Sequence, residues 1–107
     1  MNTNWNFSRK DLINSSASLA MQNIAGEAIT IVGIAVAERP DENGEVKTVV
    51  LFNTKEHGVV SSISDTILRV VDDIIAYAQE EGLEELPAHI NKGTSKNGRE
   101  FLTVTLD

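Results

Sequence analysis

The chain has no cysteine, few cations and no long hydrophobic run. The lack of cysteine excludes disulfides and thiolate–metal sites, and it is compatible with a reducing cytoplasm. The longest apolar stretch, residues 28–37, contains Thr30 and Gly33 and is too short to cross a bilayer. The first residues also lack the charged-then-apolar layout of a signal peptide. We therefore expect a soluble, cytoplasmic protein without a membrane partner.

Catalytic and metal-binding motifs are missing as well. His57 and His89 stand alone, without a neighbouring pattern of metal ligands. Gly93 and Gly98 form neither a Walker loop nor a Rossmann fingerprint, and no nucleophile has a base at a recognisable spacing. The sequence therefore predicts neither an enzyme nor a bound cofactor or metal ion.

The length and composition are those of one soluble globular domain. A chain of 107 residues, with 41% hydrophobic and 23% charged residues, is large enough to bury a single core. Residues 1–8 are polar with two aromatics, and we predict a loosely ordered arm there. Residues 9–107 are predicted to form the single domain.

Apolar patterns and turn residues predict five strands. The first is predicted over residues 10–19. Residues 27–39 are rich in β-branched side chains and predict the second. After a turn of Pro, Asp, Asn and Gly, residues 46–53 form the third strand, so that these two make a hairpin. The last two strands are predicted over residues 87–90 and 100–106.

One amphipathic helix separates the third strand from the fourth. Its apolar residues recur at steps of three and four: Ile63, Ile67, Val70, Val71, Ile74 and Ala78. Gly82 is placed to end the helix. This order predicts a mainly β protein with an OB-fold, a five-stranded Greek-key barrel with one helix between strands 3 and 4. In that fold ligands lie across strands 2 and 3 and the adjoining loops, which here include residues 93–99.

The charge of the chain is strongly uneven. The formal net charge is −7, and residues 65–85 contain seven acids against one cation, Arg69. Residues 86–99 contain three cations and no acid. Because an electrostatic field is local, a cationic loop can bind a polyanion on a protein that is acidic as a whole. The cluster is a first indication of a nucleic-acid site.

Several short segments resemble one family. Residues 92–101, Lys-Gly-Thr-Ser-Lys-Asn-Gly-Arg-Glu-Phe, are similar to a Gly-Thr-Ser…Gly…Phe signature near the C-terminus of the small single-stranded-DNA-binding proteins of protein-primed bacteriophages of the phi-29 type. Residues 45–64, with Thr-Val-Val-Leu-Phe and Val-Ser-Ser-Ile-Ser, also resemble this family, as do residues 26–29 followed by 34–35. The order and spacing of the segments match too.

The resemblance implies a function. Members of this family bind single-stranded DNA without sequence preference and protect the strands displaced during phage replication, so single-stranded DNA and the replication machinery are the implied partners. The chain departs from the family at the tyrosines that lie near the DNA. They align with Ala37, the turn near Gly44 and Val60, none of which is aromatic. If this protein stacks bases, other rings must do so.

Non-specific binding of a single strand needs two things, cations that follow the phosphates and flat rings that stack on bases. Short hydrogen-bonding groups that reach phosphates or base edges add to the cations. The expected cations are Lys92, Lys96 and Arg99 on the loop, with Arg39, Lys47 and Lys55 at the ends of strands 2 and 3. The expected hydrogen-bonding residues are Thr94, Ser95 and Asn97. The alternatives are an ordinary solvated hairpin loop and ordinary surface charge.

Flat rings that stack on bases are the second requirement. Phe101 begins the last strand directly after the cationic loop and is the first candidate, with burial as the alternative. Trp5 lies in the polar arm beside Arg9 and Lys10, where it could stack on DNA or pack on the barrel.

Two other functions stay open. An OB-fold module that binds protein instead of DNA would use its acidic helix as a mimic of a polyanion, through Asp72, Asp73, Glu80 and Glu81. A small structural subunit would use its strand edges for oligomerisation. The sequence does not decide between a monomer and weak self-association.

Overall fold

The computed structural model describes residues 4–15 and 18–107, and most of its regular structure is β-sheet. In chain order the elements are β1 (Asn4–Trp5), α1 (Arg9–Asn14), β2 (Leu19–Ala20), a 3-10 helix (Met21–Ile24), β3 (Ala28–Pro40), β4 (Val46–Thr54), β5 (Gly58–Ser62), α2 (Asp65–Glu80), β6 (Leu86–Thr94) and β7 (Glu100–Leu106). Within the described ranges, neither helix is long and apolar enough to cross a membrane.

All seven strands belong to one sheet, in the order β2-β5-β4-β3-β6-β7, with β1 added beside β3. The long strand β3 changes neighbour along its length. Its residues 28–31 pair with β6, whereas Ile34 and Ala35 pair with β1. A bulge in the β3–β4 ladder lies between Ile31 and Gly33, and bulges bend a strand and increase its twist. The sheet curls into a half-barrel that is consistent with an OB-like fold.

The core fills the inside of this half-barrel. The helix α2 buries Ile67, Val71, Ile74, Ile75 and Ala78 against the sheet. Because these positions follow the helical period, the acidic residues of α2 fall largely on the opposite side. The helix ends before Gly82, whose φ of 63° is the left-handed conformation that favours glycine. The predicted helix is therefore confirmed in type, but it begins at Asp65, so Ile63 lies before it and is exposed instead of belonging to the apolar stripe.

The predicted strands at residues 27–39, 46–53, 87–90 and 100–106 are confirmed as β3, β4, β6 and β7. The predicted first strand, residues 10–19, is wrong. Ser8 Oγ accepts a hydrogen bond from the backbone of Asp11 at 3.0 Å, and the Asp11 carboxylate accepts one from the backbone of Ser8 at 3.0 Å. This reciprocal capping box starts the helix α1 instead of a strand.

The number of strands also differs from the prediction, because the sheet has seven strands instead of five. β5, Gly58–Ser62, is not among the predicted strands, because its apolar-polar pattern is only five residues long. The helix α2 lies between the fifth and sixth strands of the sheet, not between the third and fourth. Counted among the five strands longer than two residues, it still follows the third.

The N-terminal residues 4–8 pack against the sheet, although the sequence predicts a loose arm over residues 1–8. Trp5 is 6% exposed inside the main core. Phe7 is 7% exposed and forms a second, smaller cluster with Ala35 and Leu51 on the other face of the sheet. The backbone of Asn6 passes so close to Gly33 that a Cβ there would lie 2.5 Å from the Asn6 carbonyl oxygen. Residues 1–3 lie outside the described part of the chain.

The close approach at Gly33 gives a stability prediction. We expect Gly33→Ala to destabilise the fold by about 1–3 kcal/mol, because the added methyl group overlaps the Asn6 backbone and must displace β1. Trp5 is the only tryptophan, so its fluorescence reports on this segment. The emission should shift to longer wavelength together with a lower melting temperature.

The matched control is Ala28→Ser, which adds one heavy atom at an exposed position of the same strand. It should leave both the melting temperature and the emission maximum unchanged. Wild-type emission and stability in Gly33→Ala would contradict the packing of residues 4–8 described above.

Candidate nucleic-acid interface

A groove of about 840 Å³ opens on one side of the half-barrel. Within the described residues, no ladder joins β5 or β2 to β7, so the sheet stays open there. The groove is lined by residues of β4, β5, the start of α2, the 3-10 helix and the β6–β7 hairpin. Five residues predicted from the sequence lie on its walls: Arg39, Lys92, Ser95, Arg99 and Phe101.

A tight turn at residues 95–99 positions the cationic loop. The backbone N–H of Ser95 donates to the carbonyl of Arg99 at 2.8 Å, and the N–H of Gly98 donates to the carbonyl of Ser95 at 2.9 Å. Gly98 has a φ of 77°, which glycine adopts without strain. The turn places Lys96 and Asn97 at the exposed tip of the hairpin.

The three loop cations are not equivalent. Lys92 forms an ion pair with Glu100 across the hairpin, at 3.1 Å. Lys96 and Arg99 form no ion pair with any described residue. Residues 86–99 contain no acid, but the next residue is Glu100. The β6–β7 register brings this acid beside Lys92. Thr94 lies directly opposite Glu100 and is exposed, outside the groove lining.

Arg39 stands on the other side of the groove and ties the N-terminal segment to β3. Its guanidinium donates to the carbonyl of Leu12 at 3.2 Å and to the hydroxyl of Ser15. A guanidinium has five N–H donors, so these contacts leave donors for a ligand. Lys47 is the ladder partner of Arg39, but it pairs with Glu45 at 3.2 Å and does not line the groove.

Lys55 lies at the opposite end of β4 from Lys47, so the structure does not bring it to the groove. It forms an ion pair with Glu85. The adjacent Glu56 accepts a hydrogen bond from the backbone N–H of Thr30 at 2.7 Å, and this bond lowers the pKa of Glu56. This end of the sheet is a structural junction between β3, the β4–β5 turn and the segment before β6.

Phe101 is the aromatic residue of the groove. All five aromatic side chains are in the described part of the chain, and Trp5, Phe7 and Phe52 are buried, at 6%, 7% and 0% exposure. Tyr77 is 45% exposed, but it lies on α2 and does not line the groove. The burial of Trp5 in the core removes it from the stacking candidates, because its ring is needed inside the half-barrel.

Hydroxyl groups that were not predicted as site residues also line the groove walls. They come from the N-terminal segment, from β5 and from the start of α2, and they are Ser15, Ser18, Ser61, Ser62, Ser64 and Thr66. The hydroxyls of Ser18 and Ser61 form a hydrogen bond at 2.9 Å that joins two of these elements. The serine-rich run at residues 61–64 was a visible signal, but only the sheet places it beside the cationic hairpin.

The groove walls therefore carry three cations (Arg39, Lys92 and Arg99), two acids (Asp65 and Glu100), several hydroxyls and one aromatic ring. Cations beside a ring suit a flexible polyanion with flat bases. No group of three or more histidine and acidic side chains that could bind a metal ion is found among residues 4–15 and 18–107.

Comparison with known proteins agrees with this geometry. A family model described as "Phage Single-stranded DNA-binding protein", of the phi29 phage type, matches residues 11–107. No curated protein and no solved structure gives a significant match. The match spans β2 to β7 and both walls of the groove, and leaves out β1. The chain belongs to the phi29-type family of phage single-stranded DNA-binding proteins.

Proposed function

We propose that the protein coats single-stranded DNA without sequence preference during phage DNA replication, and that the groove beside the β6–β7 hairpin is the binding site. Family membership supports the ligand. The single observation that supports the site is that Arg39, Arg99 and Phe101 line one groove although they are far apart in the sequence. The OB-fold supports the same site. In an OB-fold formed by β3–β7, the ligand crosses the open side of the barrel, where this groove lies.

The mechanism is electrostatic tracking of the phosphates with a small contribution from stacking. Lys96 and Arg99 neutralise phosphates without losing an existing ion pair. Lys92 must first break its ion pair with Glu100 before it can bind a phosphate. Arg39 contacts the strand at the other wall. Ser95 on the groove wall adds a polar contact, and Thr94, Asn97 and Lys47, which do not line the groove, add contacts only where the strand passes its rim. All of these contacts go to groups that every nucleotide shares, so they do not select a sequence.

The proposed mode of action is binding without catalysis, in the cytoplasm of the host cell. The net charge of −7 opposes the approach of DNA, and few cations line the groove, so the affinity of a single molecule is modest. Coverage of a long strand therefore needs many copies, each a monomer or a weakly self-associating molecule. Trp5 and Lys55 are not part of the proposed interface, because one is buried and the other is at the opposite end of β4.

Salt dependence tests the mechanism. Three or four phosphate contacts on a single strand predict that the logarithm of the association constant falls with the logarithm of salt concentration, with a slope of roughly −2 to −3. Fluorescence anisotropy of labelled dT oligomers measures this slope. Duplex DNA of equal length should bind more weakly, because its paired bases cannot reach the ring of Phe101. A slope near zero, or equal binding to the duplex, would exclude the mechanism.

The assignment of individual cations predicts a change in that slope. We expect Lys96→Gln and Arg99→Gln each to weaken binding and to make the slope less steep by about 0.7, because each removes one phosphate contact. Lys55→Gln is the matched control, since it removes the same charge at the opposite end of β4. Equal effects of all three variants would show that only the net charge of the protein matters.

The ion pair of Lys92 predicts a gain in affinity. Glu100→Gln should strengthen binding to dT oligomers about two- to fivefold at low salt, because it removes an acid from the groove wall and releases Lys92. The gain should disappear at high salt, where exposed charges are screened. Glu84→Gln changes the net charge equally but lies outside the groove, and it should have a smaller effect. A loss of affinity in Glu100→Gln would place the strand elsewhere.

A further inference from the structure

Gly93 lies directly opposite Phe101 in the β6–β7 ladder. A Cβ atom added to Gly93 would lie 2.6 Å from Cζ of Phe101, 2.8 Å from Cε2 and 3.2 Å from Cε1. The far edge of the ring therefore rests on the backbone of Gly93, in the volume that any side chain at this position would occupy. The phenyl ring lies across the hairpin and does not stand away from it.

The backbone at Gly93 does not itself need glycine. Gly98, five residues later, has a φ of 77°, whereas Gly93 belongs to the regular strand β6 and is not among the residues with positive φ. Glycine inside a strand weakens it, and often marks a place where another group approaches closely. Here the group that approaches is the ring of Phe101. Because Gly93 has no side chain, the ring of Phe101 can occupy this position.

We propose that Gly93 is a positioning residue for DNA binding. Without a side chain at this position, the ring of Phe101 lies flat on β6, with one face on the backbone and the other directed to the groove as the platform for a base. This inference rests on the proposed function. It adds a residue that contacts no DNA and acts through the orientation of Phe101.

The other rings cannot replace this platform. Three aromatic side chains are buried, and Tyr77 does not line the groove. The groove therefore stacks one base for each bound protein molecule. A side chain at residue 93 would lift the ring off β6 and prevent stacking, while Lys96 and Arg99, on the turn, would keep their contacts to phosphates.

The test compares two oligonucleotides of equal length, dT oligomers and abasic oligomers, which have the same phosphates but no bases. Anisotropy titrations measure both. Phe101→Ala should weaken dT binding about fivefold to a hundredfold, the range for the loss of one stacked ring. Gly93→Ala should weaken dT binding about three- to tenfold. Neither variant should change binding to the abasic oligomer.

A double variant measures the coupling. If Gly93 acts through the ring, Gly93→Ala combined with Phe101→Ala should bind dT no more weakly than Phe101→Ala alone, since the ring that Gly93 positions is gone. Asn91→Ala is the matched control, because it lies two residues earlier on the same face of β6 and does not line the groove. It should bind both oligomers like the wild type. Melting temperatures of all variants verify that they fold.

Three outcomes would overturn the inference. Unchanged dT affinity in Gly93→Ala would show that the ring position does not matter. Equal losses for dT and abasic oligomers would show a general structural effect instead of lost stacking. Additive losses in the double variant would show that Gly93 acts independently of Phe101. In each case the proposed function would stand as long as the wild-type protein binds dT oligomers. If the wild-type protein bound neither oligomer, both the proposed function and this inference would be wrong.

Discussion

The pairing of β3 is the constraint on which the rest of the structure depends. This strand pairs with β4 along one edge, while its other edge pairs first with β6 and then with β1. The bulge in the β3–β4 ladder, between Ile31 and Gly33, lies where the other edge of β3 passes from β6 to β1, and a bulge bends its strand. The bend curls the sheet, and it leaves the open side between β5 and β7 where the groove lies.

The N-terminal segment connects the core to the groove. Trp5 fills the inside of the half-barrel and Phe7 covers the outer face of β3 and β4. Farther along, Ser15 receives a hydrogen bond from Arg39 and both residues line the groove. One short segment thus stabilises the sheet on two faces and forms part of the wall that contacts DNA in our proposal. Removing it would therefore change stability and binding together.

The acidic helix and the cationic turn lie on different parts of the molecule. α2 packs its apolar stripe into the core and exposes Asp73 and Glu80, whereas Asp65 at its start lines the groove. The net charge of the molecule is strongly negative. Lys96 and Arg99, which form no ion pair with the residues that the structure describes, lie on a turn at the end of a hairpin beside the groove. Because the field of a few exposed charges is screened within about 10 Å at moderate salt, this local cluster can attract phosphates despite the acidic helix.

The sequence by itself determined the long strands β3, β4 and β7, the helix α2 and the cationic hairpin, because their periodicity and turn residues are local signals. It also contained the resemblance to the family. Only the tertiary structure decided the burial of Trp5, the distance of Lys55 from the groove, the pairing of Lys92 with Glu100 and the contact between Gly93 and Phe101. These are relations between residues on different elements. Ladder register and the bend of β3 determine them, and neither can be read from the spacing of residues along one segment.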